Sequence, residues 1–72
     1  MPKLPALSPR KVVRLLEQRG FRLDRTKGSH QIFIHRDTGR RAVVPFHKDD
    51  LPICTLRSIL QQAGIDPAEL TE

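Results

Sequence analysis

Arg25-Thr26-Lys27-Gly28-Ser29-His30 gathers cations, a glycine, a hydroxyl and an imidazole into six consecutive residues, directly before the apolar run Gln31-Ile32-Phe33-Ile34-His35. An imidazole can take or give a proton near neutral pH. RNA hydrolysis needs that ability: a base removes the 2′-hydroxyl proton so that the oxygen can attack the neighbouring phosphorus. General acid–base help of this kind typically contributes about 10² to 10⁴ in rate. Arg25 and Lys27 can supply charge to the phosphate, and the Gly28 and Ser29 amides can approach it because Gly28 has no side chain in the way. The same pattern also fits a surface histidine after a glycine turn, and the residues alone leave both readings open.

The other reactive side chains are fewer. His35 sits at the far end of the same apolar run, about 17 Å from His30 in an extended chain, too far to serve as its partner acid. His47 follows a later strand and either approaches the turn or anchors its own loop. Cys54 is the single cysteine; it has no basic neighbour in sequence to activate it and reads as a semi-buried structural thiol. His30, His35 and His47 do not have metal-ligand spacing, so no metal and no cofactor is expected.

Local signals predict the elements that hold these residues. Residues 1–7 contain two prolines and read as a tail. Ser8 then suits an N-cap, Pro9 the first helical position, and Leu7 with Val12 the spacing of a hydrophobic staple. Val12, Val13, Leu15 and Leu16 form the apolar stripe of this helix, and Gly20 ends it, with Phe21 able to touch Leu16. From Phe21 the period changes to two. Phe21 and Leu23 alternate with Arg22 and Asp24 in a half-buried strand that runs into the Lys27-Gly28-Ser29 turn.

A second strand spans His30 to His35. A loop over Arg36-Asp37-Thr38-Gly39-Arg40 leads to a third strand, Arg41-Ala42-Val43-Val44, stopped by Pro45. Ile32 and Ile34 lie on one parity of the second strand and Phe33 on the other, so its core face is undetermined. The second helix carries Ile53, Leu56, Ile59, Leu60 and Ala63. Thr55 is a candidate cap, Pro52 an earlier start, and Gly64 the terminator with Ile65 packing on Leu60. Residues 66–72 begin a short turn with Asp66 as cap and Glu69 three residues on. The order is α-β-β-β-α, an α+β sandwich of two layers in one domain over residues 1–72.

Charge is distributed unevenly. Residues 1–48 hold twelve of the thirteen Lys and Arg against three acids (Glu17, Asp24, Asp37), a balance of +9. Residues 49–72 hold only Arg57 against five acids, a balance of −4. A basic region on so small a chain favours a polyanionic partner, most simply nucleic acid. Arg10 and Lys11, in the first turn of the first helix, oppose its dipole and so hint at phosphate contact. Lys48, Arg40 and Arg41 read as phosphate contacts or plain solvent-facing charges. No apolar run approaches membrane-span length and no signal peptide is visible, so no membrane partner and a cytoplasmic location are expected.

Three segments in order, Lys27-Gly28-Ser29-His30-Gln31-Ile32-Phe33, Val44-Pro45-Phe46-His47 and Thr55-Leu56-Arg57-Ser58-Ile59-Leu60-Gln61-Gln62-Ala63-Gly64-Ile65, resemble the HicA family of toxins. The opening Ser8-Pro9-Arg10-Lys11-Val12-Val13 and Gly20-Phe21 extend the resemblance over nearly the whole chain. It implies the fold of a double-stranded-RNA-binding domain and an mRNA interferase whose catalytic histidine is His30. It also implies a HicB-type antitoxin, encoded beside the toxin, that covers this histidine. Where the family usually has a small residue before Thr-Leu of the second helix, this chain has Cys54.

The expected function is thus a metal-independent endoribonuclease toxin, with His30 as catalyst and Arg25, Lys27, Gly28, Ser29, Arg10, Lys11 and Lys48 contacting messenger RNA. The alternative is an RNA-binding module of the same fold that does not cut. A third reading, a domain that only docks an acidic protein, would show little salt-dependent RNA binding.

Overall fold

Ser8 starts the first helix as its sequence requires. In the computed structural model, which describes residues 6–46 and 49–70, α1 spans Pro9–Gln18. The Ser8 hydroxyl accepts from the Lys11 N–H at 3.3 Å and so satisfies one of the helix's free donors. Val12 and Leu16 are buried, and Leu7, Val13 and Leu15 pack against the same core. Beyond Arg19 the chain reverses at Gly20, whose φ is +92°.

Three antiparallel strands follow as a meander in the order β1-β2-β3: β1 (Phe21–Lys27), β2 (His30–His35) and β3 (Arg41–Pro45). Phe33 is 1% exposed and pairs with Ala42 on β3, so the Phe33 parity faces the core. Ile32 and Ile34 therefore point to the other face, where they are half-buried. The alternation expected of β1 holds only at Phe21. Leu23 is 50% exposed although it pairs with Phe33 on the core side; β1 is an edge strand, and the helical layer leaves this part of it uncovered. The register slips between Leu23 and Arg25, which makes Asp24 the extra residue of a bulge on that edge.

α2 runs Ile53–Ala63 and opens from Pro52 with no side-chain cap. Thr55 is thus inside the first turn and not the cap that its residue type suggested; Pro52 set the earlier start. The helix ends in a Schellman arrangement, in which Gly64 (φ +75°) donates to the Gln61 carbonyl at 3.2 Å and Ile65 to the Leu60 carbonyl at 2.9 Å. A short 3-10 turn, Pro67–Leu70, follows. It is capped reciprocally: Ala68 N–H donates to Asp66 Oδ1 at 2.9 Å and Asp66 N–H to Glu69 Oε2 at 3.2 Å. Glu69 also reaches Arg19 at 2.6 Å, tying this turn to the end of α1.

Both helices lie on the Phe33 side of the sheet, giving the expected two-layer α-β-β-β-α architecture. Their buried faces (Val12 and Leu16 from α1; Leu56, Ile59 and Leu60 from α2) meet Phe21, Phe33, Ala42 and Val44. The segment before α2 is tied to the one before α1, since Leu51 N–H donates to the Leu7 carbonyl at 2.8 Å.

Candidate active groove

His30 opens β2 opposite Lys27, with Gly28 and Ser29 forming the two-residue turn between them. Gly28 has φ +59° while Ser29 keeps a negative φ, the combination of a type II′ hairpin turn. The turn is fastened from the other side: Phe46 N–H donates to the Ser29 carbonyl at 2.6 Å. His30 is exposed, and its partner on β3 is Pro45. Three backbone segments thus converge on one imidazole.

Beside it an open groove of about 390 Å³ wraps the edge of β3, lined by His30, Val43, Pro45, Cys54, Thr55, Ser58, Ile59 and Gln62. Gln62 binds α2 to that edge, its Oε1 accepting from Val43 N–H at 3.0 Å. Its Nε2 donates to Ser58 Oγ at 3.4 Å. Ser58 accepts in that bond, and its hydroxyl also carries a donor proton. The site therefore combines a proton-transfer group with hydroxyl, thiol and amide groups on a facing helix.

Of the residues singled out from the sequence, His30 lines the groove, and Lys27, Gly28 and Ser29 adjoin it in the chain through the β1–β2 turn. Arg25 lies one row along the same outward face, 65% exposed, with its Nε donating to Asp24 Oδ2 at 2.8 Å. Arg10 and Lys11 are exposed on α1, in the helical layer, and do not line the groove. His47 and Lys48 lie outside the described residues. Cys54 is exposed and faces the groove, correcting its reading as a semi-buried structural thiol: it precedes the buried stripe that begins at Leu56. Thr55, Ser58 and Gln62 were not anticipated. Their spacing of three and four residues marks a polar stripe beside the apolar one, but nothing local says what that stripe faces.

His35 does a different task at the opposite end of β2. Its Nδ1 accepts from the N–H groups of Asp37 and Thr38, both at 3.1 Å, and its ring meets Phe21 edge-on with centroids 5.0 Å apart. It shapes the β2–β3 loop. Among the described residues no group of three His, Cys, Asp or Glu side chains is placed to hold a metal ion. No helix among them is long and apolar enough to cross a membrane.

A family model described as HicA toxin of bacterial toxin-antitoxin matches residues 9–65. The match spans α1, the sheet with its groove, and α2. No curated protein was found to match the chain.

Proposed function

The chain belongs to the HicA toxin family, a toxin of a toxin–antitoxin system, and from that premise we propose that it is an mRNA interferase acting in the cytoplasm, with His30 as its catalytic group and a HicB-type protein as its antitoxin. The observation that carries this reading is the exposed His30 imidazole beside an open groove, next to a turn that contains Lys27 and two small residues.

In the proposed reaction His30 accepts the proton of a ribose 2′-hydroxyl. The freed oxygen bonds to the adjacent phosphorus, the bond to the 5′-oxygen breaks, and that oxygen takes a proton from solvent, to which the groove is open. The products are a 2′,3′-cyclic phosphate and a 5′-hydroxyl. Negative charge that develops on the phosphate oxygens is met by Lys27, the Gly28 and Ser29 amides and the Ser58 hydroxyl. Arg25, Arg10, Lys11 and Lys48 contribute the longer-range attraction that makes RNA binding salt-dependent.

Purified protein is expected to cut messenger RNA with EDTA present. Attaching a bulky maleimide to Cys54 should suppress cutting by filling the groove, whereas Cys54→Ala should remain active and indifferent to the reagent. Labelled wild type that cuts at the unlabelled rate would place the chemistry elsewhere. Lys27→Ala should reduce both RNA affinity and cleavage rate, because the ammonium meets phosphate before and during reaction. A drop in affinity alone, with an unchanged rate at saturating RNA, would reduce Lys27 to a binding role.

A further inference from the structure

Apart from His30, no side chain that lines the groove between β3 and α2 is an acid, a lysine or an arginine. Val43, Pro45 and Ile59 give it apolar walls, and the facing stripe of α2 gives it uncharged polar groups. Its volume of about 390 Å³ lies within the range of small-molecule pockets, about 300 to 1,000 Å³. Gln62 has a fixed orientation there. Val43 N–H can only donate, so the atom it meets at 3.0 Å is the amide oxygen, and the amide nitrogen is the one that bonds Ser58 Oγ at 3.4 Å. That nitrogen carries a second proton, which finds no acceptor among the described residues. Thr55, in the first turn of the same helix, adds a hydroxyl that can donate or accept.

We propose that this groove takes the nucleobase of the nucleotide that is cut, with the Gln62 amide holding an acceptor on the base edge and so setting which bases are cut fastest. The inference rests on the ribonuclease reading and adds which part of the substrate fills the site. In a ribonucleotide the 2′-hydroxyl and the base sit on adjacent carbons, so a hydroxyl in contact with His30 brings its own base into the space next to the imidazole. The reacting phosphate belongs at the His30 end, toward Lys27, because the walls of the groove hold no cation to neutralise it. A base suits those walls: it is uncharged and flat, with apolar faces for Val43 and Pro45 and an edge of donors and acceptors for α2. The fixed donor of Gln62 also tells bases apart, since guanine and uracil present keto oxygens where adenine and cytosine present amino groups.

The test uses the full chain and RNA trinucleotides whose central nucleotide alone keeps a 2′-hydroxyl, with adenine, cytosine, guanine, uracil or no base at that position. Single-turnover cleavage by wild type should be at least about tenfold slower without a base than with the best base. Gln62→Glu keeps an oxygen for Val43 N–H but turns the fixed donor into an acceptor, so its rates for adenine and cytosine should rise about 5- to 100-fold relative to those for guanine and uracil. Repulsion of RNA by the new charge acts on every substrate alike and leaves these ratios unchanged. If Gln62→Glu fails to fold by circular dichroism, Thr55→Val should reduce the advantage of the best base over the abasic substrate by about threefold or more. Cleavage indifferent to the base, or base ratios that move in neither folded variant, overturns the proposal. If wild type cuts none of the substrates, the ribonuclease reading falls, and affinities for the same trinucleotides decide the subsite: loss of the base should weaken binding, and equal affinities overturn it.

Discussion

His30→Ala is expected to lower RNA cleavage by about 10² to 10⁴, the usual contribution of a positioned acid–base group, while leaving stability and RNA affinity nearly unchanged. The imidazole is exposed and lies outside the packed core, so its removal creates no cavity. Surface changes of this kind usually move stability by less than about 0.5 kcal/mol. One ring among several cations also adds little to phosphate attraction. The decisive measurement is single-turnover cleavage at saturating RNA, with thermal midpoint and RNA affinity determined on the same preparations. A variant that is stable, binds normally and cuts at the wild-type rate removes His30 from the chemistry. One that loses affinity in proportion to rate makes it a binding residue.

Gly20→Ala should produce the largest loss of stability. Two costs add at that position. With φ at +92°, any side chain is strained by about 1 to 2 kcal/mol. An added Cβ would also lie 2.9 Å from His35 Nε2. That ring cannot retreat freely, because its Nδ1 holds two backbone N–H groups and it meets Phe21 in an edge-on contact; displacing it costs a further 1 to 3 kcal/mol or so. For a chain of this size each kcal/mol corresponds to roughly 4–8 °C in melting temperature. A drop of about 10 °C or more is therefore expected by calorimetry. Gly28→Ala is the matched comparison: its φ is also positive, at +59°, but nothing lies within 4 Å of the added carbon. It should show the backbone cost alone. If the two alanines destabilise equally, the close approach of His35 to Gly20 is not what makes that glycine necessary.

Much of this molecule was legible in short windows of sequence. Ser8-Pro9 start a helix, Gly20 and Gly64 end helices, Gly28 turns a hairpin, and Asp66 with Glu69 cap the last turn, because each signal is a steric or hydrogen-bonding preference acting within a few residues. The same locality placed His30 beside Lys27, Gly28 and Ser29.

Packing between distant segments decided the rest. Both parities of β2 are apolar, so only the helices' arrival on the Phe33 side left Ile32 and Ile34 for the opposite face. Leu23 has the right parity for burial but sits where the helical layer does not cover the edge strand, and Cys54 faces a groove that exists only once α2 lies along β3. The bond between Gln62 and Val43 joins residues nineteen apart in sequence, and with it Thr55 and Ser58 come to face His30. Periodicity states that an element has two unlike faces; which neighbour each face meets depends on burying the most apolar surface at once across all the elements.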